Sequence, residues 1–385
     1  MEFLGYLRPN GKVGVRNHVL VLPSVVCSST TTAQIAAKVE GAVSLPNQTG
    51  CAQVGNDVEQ TMRTLAGFGR NPNVAAVLVV GLGCESVNAY ELAELIKETG
   101  KPVEVLVIQE VGGTIKTVEK GIEIVKRFKE YADQVPRKMV GLDELVIGVE
   151  CGGSDTTSGI ASNPAAGVAS DLIVEAGGTT FLSETPELIG AEHILAKRAI
   201  SPEVGEKLIQ TVATFEEKLS KEGIDFRGAQ PSPGNIAGGL TTIEEKSLGA
   251  IYKSGMAPIL DVLAYGEEPK EKGHYFMDSP GFDVESNTGM IASGAQILLF
   301  TTGRGTPVGS PIAPVIKIIG NPKMASIMAD NIDVDASLIV QGLKTVQEVG
   351  KDIFNEIVEV ANGKLTKAEE LGHFEFAINR VGPSF

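Results

Sequence analysis

The sequence is short of positive charge. Its 33 lysines and arginines face 48 aspartates and glutamates, a formal net charge of -15, which excludes the basic footprint that phosphate-backbone binding requires. Long apolar runs are missing as well: residues 74–80 and 297–300 fall far short of the roughly 20 residues a membrane span needs. Four cysteines (Cys27, Cys51, Cys84 and Cys151) in 385 residues make no disulfide framework. Neither C-x-x-C nor H-x-x-x-H spacing occurs, so a zinc finger is excluded, while a metal site assembled from distant loops is not. There is no Gly-Lys-Ser/Thr phosphate loop and no complete G-x-G-x-x-G fingerprint. The start of the chain lacks the apolar stretch of a signal peptide. The expectation is a cytoplasmic protein with reduced thiols, no nucleic acid and no membrane partner.

What is there in excess is glycine, 45 of 385 residues against a usual share of about 7%. At 43% hydrophobic and 21% charged the chain is otherwise an ordinary globular one, and its length suits two domains.

Along the first third, short β-branched runs alternate with helical segments. Residues 19–26, 41–46, 74–81 and 103–111 read as strands; 29–40, 57–67, 86–99 and 114–131 read as helices. Continuous apolar strands separated by helices of this length indicate a parallel sheet of βαβ units. The pattern breaks at 134–138 and a second series begins. Its strands read as 144–149, 179–183, 259–264, 297–301 and 313–319. Its helices read as 165–176, one opened by Pro186 with Thr185 as cap, and 202–221. Residues 225–241 lack periodicity and read as a long loop, a kind that is usually functional. The stripe Leu343, Val346, Val349, Ile353, Ile357 and Val360 is core packing. The expected fold class is α/β: two three-layer domains with mostly parallel sheets and the site in the cleft between them. A Rossmann-like domain spans 1–135, and a second with long glycine-rich loops spans 140–385.

All four cysteines fall at or just past an expected strand end, the edge of an open α/β sheet where ligands bind. Cys27 reads as a small buried hydrophobe. Cys51, Cys84 and Cys151 stand in glycine-flanked turns, where thiolates suit Fe or Zn. Glu85 and Glu150 adjoin two of them. Asp155 lies in a glycine-rich turn that leads into a helix, whose N–H groups suit an anion. His193 follows Glu184, Glu187 and Glu192, an acidic setting that would raise its pKa, although a surface histidine is the plainer reading. Thr242 and Glu245 read as a capping box; Lys246 beside them is either an exposed helix lysine or a contact for a substrate carboxylate. Arg304, between Gly303 and Gly305, has room to clamp a carboxylate with both nitrogens.

Six segments carry a resemblance. They are 5–17 (GYLRPNGKVGVRN), 79–85 (VVGLGCE), 150–155 (ECGGSD), 232–235 (SPGN), 245–249 (EKSLG) and 300–305 (FTTGRG). Together they resemble the large catalytic portion of the altronate and galactarate (sugar-acid) dehydratases, from residue 5 to about 320. The resemblance implies a hydro-lyase that removes water from a sugar acid with the help of Fe2+ and yields a 2-keto-3-deoxy acid. It also implies a separately encoded small subunit, and a homo-oligomer is expected. Cys51, Cys84, Glu85, Glu150 and Cys151 are expected near the metal. Arg16, Asn17, Ser154, Asn235 and Arg304 are expected at the substrate, and Asp155, His193 and Lys246 form the expected catalytic set, with Asp155 or His193 as the base. One departure is Asn47, where the family's turn before Gly50-Cys51 carries a histidine. Three alternatives stay open: an Fe–S cluster on three cysteines, a sulfolactate sulfo-lyase-type large subunit, and a non-catalytic scaffold subunit.

Overall fold

Strands occur, in chain order, at Glu2–Leu7 (β1), Val13–Gly14 (β2), His18–Pro23 (β3), Ala42–Ser44 (β4), Val74–Gly81 (β5), Val103–Val107 (β6) and Arg137–Gly141 (β7). They continue with Val146–Cys151 (β8), Thr179–Leu182 (β9), Ile259–Leu263 (β10), His274–Met277 (β11), Ile297–Thr302 (β12), Val315–Ile319 (β13) and Val334–Asp335 (β14). This is a computed structural model that describes residues 1–382. It bears out the α/β class: β4-β3-β5-β6 and β10-β11-β9-β8-β12-β13-β14 are parallel sheets, beside a small antiparallel sheet β2-β1-β7.

The central strands are buried on both faces, as their unbroken apolar runs require. One face of the four-stranded sheet (Val19, Val21, Leu78, Val80) is covered by Ile35, Ile124, Val125 and Phe128 of helices Val26–Ala36 and Thr114–Asp133. The other face meets Leu65 and Phe68 of helix Asn56–Arg70, and that layer runs on without a break. The same apolar cluster takes in Phe181, Met290, Leu298 and Phe300 of the seven-stranded sheet and helix Asp283–Ala292. The two helices approach closely at Gly67, where a Cβ would stand 2.3 Å from the Ala292 carbonyl oxygen. The far face of the large sheet is closed by helices Asn163–Glu175 and Val346–Ala361.

Polar groups bolt the halves together. Asn71 donates to the carbonyls of Ile291 and Ala295, each at 2.9 Å. Asn73 donates to those of Gln296 and Ile312 and accepts from the backbone of Val15. Arg8 donates to the carbonyls of Pro72 and Arg16 and to Asn17 Oδ1. Arg16 and Asn17, expected at the substrate, are therefore scaffold residues. The Arg16 guanidinium, buried, holds both Glu369 oxygens at 2.7 and 2.8 Å and the carbonyls of Val360 and Lys364; Asn17 donates to the Ala132 carbonyl.

Several expectations need correction. The break at 134–138 leads straight into β7, an edge strand paired with β1, which lies between β2 and β7; both carry exposed residues that break up an apolar run. β11 is only four residues, too short for a periodic pattern. Cys27 lies not past a strand but in the first turn of helix Val26–Ala36, and it is exposed. Residues 225–241 hold two short helices, Phe226–Ala229 and Pro233–Ala237. Thr185 lies inside the turn Thr185–Leu188, and Glu184 precedes it.

Two outcomes follow from these buried groups. Arg16→Met is expected to cost about 3 kcal/mol of stability, because it leaves Glu369 without its partner. The urea midpoint would show this, and a further Glu369→Gln change would add little in the Arg16→Met background. His274 is fully buried and bonded to Thr180 Oγ1 at 2.7 Å; burial holds its pKa down to about 3. The unfolded chain takes up a proton below about pH 6.5 that the folded chain refuses, so this histidine lowers stability as the pH falls from 6.5 toward 3. His274→Asn is expected to flatten that part of the pH profile of the urea midpoint.

Candidate active site

Glu150 and Cys151 end β8. As consecutive strand residues they leave opposite faces of the large sheet, and both are buried. On the Glu150 side, the hydroxyls of Ser183 and Ser286 donate to Oε2 at 3.2 and 2.6 Å. On the Cys151 side, the turn Ile251–Ser254 delivers Lys253, whose Nζ lies 2.7 Å from Sγ. Glu184, two residues past β9, serves both sides. Its φ of 71° is a left-handed conformation that side chains with a Cβ seldom adopt. From there Oε2 accepts from Lys253 Nζ at 2.5 Å and from the Cys151 N–H at 3.1 Å. Glu187 completes this side, with Oε2 accepting from Cys151 Sγ at 2.7 Å and Oε1 paired with Lys246 Nζ at 2.9 Å.

The electrostatics follow from burial and from these pairs. Burial works against the Glu187 charge, but Lys246 and Lys253 overcome it and hold its carboxyl down to about 2. Burial and then Glu187 push Glu184 up to about 7. Burial and then Glu184 push Glu150 well above the carboxylate range. Burial, with Glu184 and Glu187, raises the Cys151 thiol, so it stays protonated. Burial opposes the Lys246 charge, yet Glu187 carries its pKa up to about 12. Asp283, partly exposed, is raised to about 6 by burial and by Glu187.

Two groups of side chains bring ligand atoms within 4.8 Å of one another: Cys151, Glu184 and Glu187; and Glu150, Glu184 and Asp283. In the first, the Lys253 ammonium already supplies the positive charge. In the second, Glu150 Oε1 and Glu184 Oε1 are buried and accept from no other residue's donor, while a hydrogen bond between these two carboxyls helps keep Glu150 protonated. Gly152 admits Asp283, since a Cβ there would stand 2.2 Å from Oδ2. Carboxylate oxygens without an outside donor fit a divalent cation that favours oxygen. The identity of such an ion is not fixed by these residues.

Lys246 borders two cavities. One, of about 260 Å³, is lined by Glu187, Phe215, Phe226 and Gln230; the other, of about 200 Å³, by Ser154, Thr156, Ser158 and Asn163. The segment 225–241 is tied over the second: Asn235 Nδ2 donates to the Ser154 carbonyl at 2.9 Å, and Arg304 Nη1 to the Gly234 carbonyl at 2.8 Å.

The structure thus gathers Glu150, Cys151 and Lys246 at one centre and sets Ser154, Asn235 and Arg304 beside it. Asp155 is placed otherwise. Its Oδ1 accepts from Thr157 and Ser158 and its Oδ2 from Asn321, so it caps the turn it was expected to serve. His193 is exposed on the short helix Glu192–Ala196. Cys51 and Cys84 are exposed in turns beyond β4 and β5, and among the described residues neither they nor Glu85 joins a metal-competent group. Glu85 accepts from the N–H groups of Leu82 and Gly83 and from Ser24 Oγ, closing its own turn. Thr242 does accept from the Glu245 N–H, but the Glu245 carboxylate bonds Thr241, so the capping box is half formed.

Glu184, Glu187, Lys253 and Asp283 escaped the sequence reading. Glu184 carried a usable signal, an acid just past a buried strand, as at Glu150. Lys253 and Asp283 carried none. With Cys151 shielded and the other three cysteines exposed, a thiol reagent is expected to titrate three thiols in the native protein and the fourth only in denaturant.

Comparison with known proteins places this geometry. The family model "D-galactarate/Altronate dehydratase, C-terminal" matches residues 142–384, and "D-galactarate dehydratase/Altronate hydrolase, second domain" matches residues 5–133. The (2R)-sulfolactate sulfo-lyase subunit beta of Chromohalobacter salexigens is 40% identical over 381 residues, 98% of this chain and 97% of that protein. The altronate dehydratase of Bacillus subtilis is 37% identical over 391 residues, 99% of this chain and 78% of its own length. The galactarate dehydratase (L-threo-forming) of Escherichia coli is 37% identical over 331 residues, 84% of this chain and 63% of its own. With both models matched and relatives this similar over nearly all its length, the chain belongs to the D-galactarate/altronate dehydratase family.

Proposed function

We propose that the protein is a lyase acting on a 2-hydroxy acid, taking the proton from C2 and expelling the substituent at C3, so that the enol formed becomes a 2-keto acid. The observation that carries this reading is the buried centre of Glu150, Cys151, Glu184, Glu187, Lys246 and Lys253 at the carboxyl ends of β8 and β9, the edge where α/β sheets bind ligands. Lys246 is the ammonium nearest to solvent, its side chain 15% exposed against 1% for Lys253. It serves as the contact for the substrate carboxylate and for the negative charge that grows on it as the C2 proton leaves. Ser154 lines one of the cavities that Lys246 borders, and Asn235 and Arg304 are tied beside it through the Ser154 and Gly234 carbonyls; these three select among the substrate's hydroxyls and second acid group. Proton removal falls to a carboxylate of the centre, because Asp155 is held as a cap and His193 faces solvent. A divalent cation bound to the acidic centre, Fe2+ on the family resemblance, would polarise the substrate's oxygens as a Lewis acid.

A sugar acid such as altronate, losing water, is the first substrate class. A second reading, loss of sulfite from sulfolactate, is favoured by the end-to-end match to the sulfo-lyase subunit. The two differ only in the group that leaves C3. That relative's name as a subunit supports a separately encoded partner here. Among the described residues no helix is long and apolar enough to cross a membrane.

The test is an anaerobic assay of the chain, alone and with a candidate partner subunit, with Fe2+ and altronate, galactarate or (2R)-sulfolactate. A 2-keto acid is expected from at least one, with sulfite released only from sulfolactate. Lys246→Met is expected to lower kcat/KM by about 10²–10³-fold. Absence of keto acid from all three, with metal and partner present, rejects the proposal.

A further inference from the structure

We infer a separate cofactor site at the carboxyl edge of the four-stranded sheet, where Cys27, Cys51 and Cys84 hold a 4Fe–4S cluster by three of its irons and leave the fourth open. The strand order puts these residues side by side. β4, β3 and β5 are parallel neighbours, so their carboxyl ends share one edge. Cys51 follows β4, Cys84 follows β5, and Cys27 stands in the first turn of the helix that follows β3. All three thiols are free and exposed. Backbone hydrogen bonds stitch the three turns together: the Val26 N–H donates to the Thr49 carbonyl at 2.8 Å, and those of Ser86 and Val87 to the Gly50 carbonyl at 2.9 and 3.1 Å. Gly50 lies so close to the end of β3 that a Cβ would stand 2.2 Å from the Ser24 carbonyl oxygen. Buried side chains fix each turn. Asn47, 0% exposed, donates to the Pro23 carbonyl at 3.1 Å and accepts from the Thr49 N–H and hydroxyl at 3.0 and 2.7 Å. Gln53 accepts from the Gly50 N–H at 2.7 Å and donates to Asp57 Oδ2 at 2.8 Å. Glu85 ties the Cys84 turn to Ser24 Oγ at 3.0 Å. Outer bonds of this kind are what hold metal ligands in place.

Three features favour a cluster over one ion. A structural zinc needs four ligands, yet Glu85 is engaged by its own turn and residues 24–88 hold no histidine. Among the described residues the three sulfurs are not gathered within 4.8 Å of one another, the compass of a single ion, whereas a cluster spreads its thiolates over separate irons. Helix Val26–Ala36 has neither a side-chain cap nor an acid in its first turn, so its N-terminus offers positive charge to an anionic cluster beside Cys27. Gln109 Nε2 stands 3.9 Å from Cys84 Sγ, and hydrogen bonds to sulfur tune a cluster's potential. The open iron takes water or an oxygen-bearing ligand. A cavity of about 510 Å³ has Pro46 and Gln48, from the segment that carries Cys51, on one side and Phe282 and Val284, which flank Asp283, on the other. The Cys51 segment and the helix start that bears Asp283 thus share one cavity. Cys151 has no part in this site: it is buried on the other sheet and hands its hydrogen to Glu187. The site does not rest on the elimination reading.

The experiment uses the full chain, stripped with chelator and then reconstituted anaerobically with iron, sulfide and dithiothreitol. The expected result is about four irons and four sulfides per chain, with a broad visible absorption that bleaches on reduction by dithionite as an electron paramagnetic resonance signal appears. Cys27→Ala, Cys51→Ala and Cys84→Ala are each expected to lower the bound cluster by more than about fivefold, while Cys151→Ala keeps the wild-type amount. The three positions are exposed, so these variants keep the fold, with circular dichroism and thermal melting as controls. A thiol reagent is expected to reach three thiols in the stripped chain and none in the loaded one. A single iron per chain on the same thiols would overturn the inference. So would a cluster retained in all three variants, a cluster lost only in Cys151→Ala, or none on the folded chain. Keto-acid release is not part of this readout, so loss of the lyase reading and loss of the cluster site are separate results.

Discussion

A lysine ammonium enclosed among a thiol and two carboxylates is the interaction on which the centre depends. Lys253 is buried to 1% of its side chain, and a charge so placed is stable only with partners at hydrogen-bond distance. Glu184, Glu187 and Cys151 are those partners, and each is set by a different element. Glu184 bends back from β9 in a left-handed conformation; Glu187 lies in the turn that follows; Cys151 ends β8. The Lys253 turn itself is pinned against helix Asn163–Glu175 at Gly167, where a Cβ would stand 2.1 Å from the Tyr252 carbonyl oxygen. Removing the ammonium would leave like charges facing one another in a medium that screens them poorly.

Around this pair the rest of the molecule acts as a frame. The seven parallel strands bring their carboxyl ends to one edge, and the helices on both faces close the interior to water. The shared apolar core between the two sheets and the Asn71 and Asn73 bolts keep helix Asp283–Ala292 in register with β8. That register decides whether Ser286 and Asp283 reach Glu150. The proposed elimination builds charge on a substrate carboxylate, and fixed positive groups in a dry site suit it.

Much of the frame was legible in the residues. β5 was read with its observed bounds and helix Pro202–Lys221 likewise, since an unbroken apolar run and a proline at a helix start are local signals. Strands with exposed faces, β1 and β7, were missed for want of such a run. The site was legible only in part. Glu150 and Cys151 were named because they end a buried strand among glycines, and Lys246 because it adjoins a helix start. Cys84 and Glu85 share that same local pattern yet do something else. In β8 the acid and the thiol are the last residues of the strand itself, whereas after β5 they lie in a turn beyond it, Cys84 exposed and Glu85 bonded to the backbone of that turn.

The sequence by itself determined the α/β class, the parallel strands and the family, because periodicity, glycine punctuation and short motifs are properties of neighbouring residues. Only the tertiary structure decided which charged groups meet. Lys253 lies 102 residues beyond Cys151, and no pattern along the chain links them. They are joined because burying one charge requires another, and the folded strands alone determine which one is near.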